Sequence, residues 1–596
     1  VLAVCGRPTA ADVLVRGSEL ELEAFHGALS QLVERRMAQE VPGPGLLFRP
    51  SHDRLREIVY GDLDGRARAN LHLRMARSME AVYARELEEH VFDIVDQYNS
   101  VTALYLQPEE RDKVIRYNEL AGYRSKKEGA FESAGKYFRS ALALLPPDSW
   151  STDYARISAL SKASVEVEYL GNDLEQAERH WLLYVERART CVEKVEAYIA
   201  KIEALNQVGR LHQALAAVRE ALSVLGARYP ARPGKLAVGL ELERAKRALK
   251  GKTVNDLIAP RDKKDPERQV LFTLLLSATP PAFMTYQQNL LAFYVAKMVR
   301  LLAASTNDPN GSFALAIYAH IMQAGLGRME AGSRIGELAL QFLRRHDDPA
   351  ASGSGLFILA GFVFPWTRPL REATDLLLEG HRDSMRAGDL LFAGFNLNIA
   401  ITQQCMYSSS VAETFRFLEK HEDFLLRLNN PHTITEIAAL RQMLRQLSGS
   451  TKNGSTFDDE GFDEDRFLKY LIEIDDPIPI GFYFAFKLKS LFVMGFYEKA
   501  FEYLEESERR IGPTQGQFVL AEHCFYAFLT AVRRMVRAGR GEKRRRGRDI
   551  RTKLELMKKW ASCCAENFAH KQLLMEAELA RVNGEDSAAR GLYQDA

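Results

Sequence analysis

From Arg66 to Ala596, apolar residues recur at intervals of three and four positions almost without interruption, and stretches of alternating Val, Ile and Thr are scarce. This spacing predicts helices of roughly 12–20 residues, separated by short turns carrying Gly, Asn, Asp or Pro. Helices of this kind bury their stripes against one another, so the chain reads as all-α. The first 70 residues differ. Leu22, Phe25, Leu29, Leu32 and Val33 form one helical stripe. Residues 37–41 are strand-like, Pro42-Gly43-Pro44-Gly45 is a turn, and residues 46–48 can pair back. A second helix is then expected, with Ser51 as its N-cap.

One spacing returns along the helical part: a Gly, a small residue five later, a large apolar residue four on, and a small residue three on. Gly129, Ala134, Phe138 and Ala141 show it, as do Gly209, Ala214, Val218 and Ala221. Gly495, Ala500, Leu504 and Ser507 repeat it, and Gly584, Ala589, Tyr593 and Ala596 end the series. Gly327, Gly332, Gly336 and Ala339 are a weaker copy; Asn172, Ala177 and Trp181 are a partial one. The Gly would end one helix in a left-handed turn, the small residues would let two helices approach, and the large one would fill the groove to the next hairpin. The pattern resembles the tetratricopeptide repeat over 113–596. That resemblance implies an α-α superhelix whose concave face takes a protein or peptide partner. Two segments interrupt the array. Residues 250–268 are basic and contain Pro260 and Pro266, and residues 448–465 run into Asp458, Asp459, Glu460, Asp463, Glu464 and Asp465. Both read as surface loops, the acidic one leading into a solvated helix start. The expected divisions are therefore 1–70, a small winged-helix domain; 71–112, linking hairpins; 113–249, repeats; 250–268, the basic loop; 269–447, divergent repeats; 448–465, the acidic loop; and 466–596, repeats.

Helix, hairpin and helix is the pattern of a winged-helix domain. A DNA-reading helix should be basic, but the candidate carries Glu19, Glu21, Glu23 and Glu34 against Arg35 and Arg36. The stretch Phe48-Arg49-Pro50-Ser51-His52-Asp53-Arg54-Leu55-Arg56-Glu57, with Tyr60, resembles the end of the winged-helix subdomain of signal-transduction ATPases of the STAND class. In that class a His-Asp pair opens the helix after the wing, and in several members the His meets the phosphates of ADP. The resemblance gives His52 and Asp53 that place, and an imidazole at a helix N-terminus can meet an anion. Local capping is the other reading of the pair. With the repeats and the closing Glu566-Asn567-Phe568-Ala569-His570-Lys571 and Glu576-Ala577-Glu578-Leu579-Ala580, the order resembles the middle of large bacterial and fungal multi-domain kinases that join an ATPase to repeats. That resemblance implies ATP or ADP in the whole parent, and kinase and ATPase domains as intramolecular partners.

Composition narrows what this chain does itself. Lys plus Arg number 80 against 79 Asp plus Glu, which argues against a nucleic-acid-binding protein. The longest apolar run, 355–366, is too short for a membrane span, and the start has no charged-then-apolar leader. Six cysteines, only Cys563 and Cys564 close together, indicate a reducing, cytoplasmic compartment. No phosphate-loop motif, metal spacing or hydrolase triad occurs, so the chain is expected to hold no cofactor or metal and to be no enzyme. His381-Arg382-Asp383 evokes a kinase catalytic loop, but Gly388 stands where that loop needs Asn. Lys543, Arg544, Arg545, Arg546 and Arg548 centre a basic run that reads as an inter-helix loop, the functional alternative being a patch for an anionic partner. Val1-Leu2-Ala3-Val4 starts within an apolar element and Ala596 lies on a helix of the last repeat, so the chain reads as a piece of a longer protein. A regulatory interaction region that couples a partner or signal to an ATPase switch and kinase output is the leading expectation. A transcription activator of the maltose-regulator type and an ATPase or kinase module retaining His52 are the alternatives.

Overall fold

The structure is a computed structural model that describes residues 1–596 except 44, 103–104, 172, 260–264, 305–307, 429, 475 and 536–539, and the side chains of 207 and 540–545. It is 78% helix and 2% strand, an all-α chain. It divides into two compact units, Val1–Ala231 with Thr273–Gln287, and Arg232–Phe272 with Gln288–Ala596.

The first unit opens with α1 (Leu2–Cys5), β1 (Thr9–Ala10), α2 (Ala11–Ser18), α3 (Leu22–Glu34), β2 (Ala38–Val41), β3 (Leu47–Pro50) and α4 (Asp53–Gly61). The expected hairpin forms, with Ala38 opposite Pro50 and Val41 opposite Leu47. Two-residue β1, too short to read from the sequence, adds to the far side of β3 and gives the order β1-β3-β2. Because pairing runs on to Pro50 and Ser51 N–H still reaches Met37 O, the next helix cannot start at Ser51; His52 stands at its N-cap instead.

The expected divisions at 70 and 112 fall inside α5 (Gly65–Val82) and the helix Pro108–Lys127. The reason is a shared core. Val13, Leu14, Phe25, Leu29 and Phe48 are buried with Leu73, Met75, Ala76 and Met79 of α5 and with Ile94 and Tyr98 of α6 (Val91–Asn99). Ser78 Oγ donates to Val13 O at 2.6 Å, and a Cβ on Gly17 would lie 2.4 Å from Met75 Sδ, so α2 and α5 meet closely.

Helical hairpins follow. Gly129 and Gly209 both have positive φ and join helix pairs, and Ala134, Phe138, Ala141, Ala214, Val218 and Ala221 are all fully buried. A Cβ on Gly122 would sit 2.6 Å from Phe138 Cε1, so the large residue lies tight against the preceding helix. Ala177 and Trp181 of the partial copy are also buried, whereas Asn172 lies outside the described residues.

In the second unit the spacing recurs at Gly495, where Ala500, Leu504 and Ser507 are buried. A further copy, Gly388, Ala393, Leu397 and Ala400, has the same left-handed Gly and the same buried positions. At Gly584 the turn and Ala589 conform, but Tyr593 is exposed and donates its hydroxyl to Glu578. At Gly327 the close approach is real: a Cβ on Gly332 would lie 2.7 Å from Ala319 O.

The two expected loops are more ordered than their composition suggests. Within 250–268, Thr253 caps a helix Val254–Ile258 whose Leu257 is buried, and another helix starts at Pro266; Pro260, Arg261, Lys263 and Lys264 lie outside the described residues. In 448–465 a helix starts as expected, Glu464–Glu473, with Asp463 as its N-cap, but Glu464 is not solvated. Its carboxylate accepts from Thr456, from Phe457 N–H and from Tyr483, and pairs with Lys487 at 2.6 Å. Fully buried Phe457 draws the segment inward, and Lys487 Nζ lies 4.2 Å from its ring centre. Among the described residues one helical stretch, Pro349–Trp366, is long and apolar enough to cross a membrane; 72% of it is buried in the fold.

Candidate functional site

His52 is the extended residue before α4, with φ −142° and ψ 139°; its side chain makes no capping hydrogen bond, and both it and Asp53 are exposed. Local capping by His52 is therefore not what the geometry gives. The helix is moored elsewhere, by Arg56 Nε donating to Ala3 O at 3.1 Å. Helix α4 buries no residue, and Ile58 and Val59 face outward.

The basic run is not an inter-helix loop. Residues Arg540–Cys563 form a helix because Ile550, Leu554, Met557 and Trp560 make a buried stripe at helical spacing. Arg546 is buried, its guanidinium 4.5 Å from the Phe501 ring centre and 3.5 Å from Glu505 Oε1, so it is no member of a free cationic patch. Arg548 is exposed; the side chains of Lys543, Arg544 and Arg545 lie outside the described residues. The His381-Arg382-Asp383 tripeptide lies within the helix Leu370–Ala387, where its polar groups are used structurally: His381 Nδ1 bonds Ala393 O, and Asp383 accepts from Ser352 and pairs with Arg386.

A groove of about 360 Å³ in the second unit brings together polar groups that the sequence spreads over two hundred residues. Leu370 and Arg371 come from the start of the helix Leu370–Ala387, Met406 and Tyr407 from the end of Leu390–Tyr407, and Phe518 from just before Val519–Met535. Glu566, His570 and Lys571 come from the first turns of Ala565–Asn583. Asn567 fixes this corner: its amide donates to Pro365 O at 2.9 Å and Arg368 O at 2.8 Å, and its oxygen accepts from Leu370 N–H at 2.9 Å. Phe568 stacks on Trp366, whose indole donates to Gly516 O at 2.8 Å.

Beneath the groove lies buried Glu522. Its Oε2 is 2.7 Å from Lys489 Nζ and its Oε1 is 3.0 Å from Lys571 Nζ. Burial alone would raise the carboxyl, but the two ammonium groups bring it down to about 2. Burial opposes the charge on Lys489 as well, yet Glu522 raises it above the ordinary lysine range. Lys571 also donates to His570 Nε2 at 3.2 Å, and burial together with that neighbouring charge lowers the imidazole. An ammonium can only donate, so Nε2 is the accepting nitrogen of His570 and Nδ1 carries the proton. Arg371 lies 5.1 Å from the Tyr407 ring centre and makes no hydrogen bond or ion pair with another described residue.

Sequence reasoning missed this constellation, reading Glu566-Asn567-Phe568-Ala569-His570-Lys571 as part of a family resemblance. One signal was present: Lys487 and Lys489 interrupt the otherwise apolar helix Pro477–Val493. Among the described residues no cluster of three His, Cys, Asp or Glu could hold a metal ion. The chain matches no protein-family model and no curated protein.

Proposed function

We propose that this chain is a non-catalytic interaction region of a signalling protein, in which tetratricopeptide-like hairpins stack into a superhelix and receive a protein or peptide partner on the concave face. The supporting observation is the recurrence of one hairpin design. Gly129, Gly209, Gly388 and Gly495 each turn left-handed, and each is followed by buried small, large and small residues at the same spacing. Repetition of a unit that cannot bury its apolar face alone is the economy of a solenoid. In this reading residues 1–70 are a winged-helix subdomain, the end of an ATPase module. The exposed His52 and Asp53 are then its nucleotide-phosphate contact, with ADP and the ATPase and kinase domains as intramolecular partners in the cytoplasm. An activator of the maltose-regulator type would use the same parts with a DNA-binding output.

Two measurements test this together. The purified chain, incubated with radiolabelled ATP, should release phosphate no faster than a mock purification. A displayed peptide library should enrich a family of sequences whose contacts, mapped by hydrogen exchange, fall on helices within 113–596. Turnover above the mock, or contacts confined to 1–70, would overturn the proposal.

A further inference from the structure

The groove at Arg371 and Lys571 has a chemistry that the hairpin scaffold does not require. Its lining holds two cations, Arg371 and Lys571, against one carboxylate, Glu566; behind Lys571, Glu522 is paired with Lys489 as well. Glu522 already shares its two oxygens between Lys489 and Lys571, and Glu566 is exposed at the rim. That leaves surplus positive charge facing the opening. Lys571 has a third ammonium hydrogen beyond those directed to Glu522 and His570. Arg371 offers a planar fork of donors with no carboxylate partner among the described residues. The lining also has an apolar part: Leu370, Met406 and Phe518. A cavity of this size, part apolar and with several convergent polar groups, matches the ordinary dimensions of a small-molecule site.

We propose that this groove binds a small organic anion, its carboxylate held by Arg371 and Lys571 with the His570 Nδ1–H as a further donor, and its apolar or aromatic body seated against Leu370, Met406 and Phe518. The donors are pre-positioned. Asn567 ties the start of both contributing helices together, and Glu522 fixes Lys571 from below. Binding there would clamp the helices Leu370–Ala387 and Ala565–Asn583, so occupancy would stiffen the second unit around the groove.

Calorimetric titration of the whole chain with benzoate, benzylamine and benzyl alcohol tests the proposal. Benzoate is expected to bind saturably and raise the melting temperature, whereas benzylamine, the same body with opposite charge, should not bind. Arg371→Ala, a substitution at an exposed position, should weaken benzoate about tenfold or more, and Arg371→Lys should recover part of the loss. Lys571→Met should abolish binding, but it also uncovers Glu522 and could unfold the unit, so the Arg371 pair carries the decision. Lys469→Ala, on a helix that does not line the groove, should leave the affinity unchanged. Absence of saturable benzoate binding, equal binding of benzylamine, or an unaltered affinity in Arg371→Ala would overturn the site. Such a failure would leave the hairpin scaffold and its partner face untouched.

Discussion

Lys489 Nζ, mostly withdrawn from solvent, lies 2.7 Å from Oε2 of buried Glu522, the two coming from adjacent helices, Pro477–Val493 and Val519–Met535. Burying either charge alone would be prohibitive. The arrangement holds because Glu522 has a second cation, Lys571, and because Lys489 and Lys571 would repel each other without it. Three helices are thereby joined at one carboxylate, whose partner Lys571 lines the groove.

This joint makes stability acid-sensitive. Glu522 ionises near 4.5 in an unfolded chain but is brought down to about 2 here, so its contribution is complete above pH 4.5 and is lost as pH falls towards 2. At neutral pH it amounts to roughly 3 kcal/mol on the scale of pKa linkage. Glu522→Gln is expected to lose about 3–5 kcal/mol at pH 7, since two lysines remain without their carboxylate. Urea midpoints between pH 7 and 3 should fall less steeply in the variant than in the native chain. Parallel slopes would contradict the assignment.

His432 gives the opposite pH dependence. Burial alone would lower its imidazole, but Glu436 at 3.4 Å and Asp476 at 2.6 Å push it up to about 9. A folded value above the unfolded 6.5 gives stability that is complete below pH 6.5 and disappears as pH rises through 9. His432→Gln should remove this decline between pH 6.5 and 9.5 in melting experiments. A native profile that stays flat there would refute the triad's role.

Gly516 tests packing and backbone together. Its φ is +92°, and a Cβ there would lie 2.1 Å from Cε1 of the half-buried His320 ring. Gly516→Ala is expected to cost roughly 2–4 kcal/mol, from overpacking and from the left-handed backbone. Adding His320→Ala should relieve the steric part and leave the backbone part, so the double variant would be less unstable than additivity of the two single changes allows. Additive losses in denaturant unfolding would show that the two residues do not press on each other.

The helical architecture was legible because 3.6-residue periodicity records burial directly, and Gly129, Gly209 and Gly495 are positions where only the turn explains the residue. Gly388 carried the same information and was read only against a kinase motif, so a full copy of the spacing went unseen. Charge misled where local composition and tertiary burial disagree. Residues 448–465 look solvated, but Phe457 and Glu464 are fixed by Tyr483 and Lys487, which lie on the following helix. The basic stretch 540–563 looks like a loop, but its Ile550, Leu554, Met557 and Trp560 stripe outweighs the arginines around it. The groove could not be read at all as a unit, because Arg371, Lys489, Glu522 and Lys571 meet only through the packing of four helices.

The central claim is that 113–596 is built of stacked hairpins whose contacts are mostly between neighbours. Hydrogen exchange of Ala500→Leu measures this most directly. Ala500 is fully buried where Pro477–Val493 and Tyr497–Arg510 meet, so the larger side chain should overpack that contact by roughly 1–3 kcal/mol. Faster exchange is expected in those two helices and in the hairpin that follows, with protection unchanged in Pro108–Lys127 and Phe131–Leu144. A uniform loss of protection across 113–596 would mean one cooperative bundle, and would contradict both the stacked repeats and the partner face that depends on them.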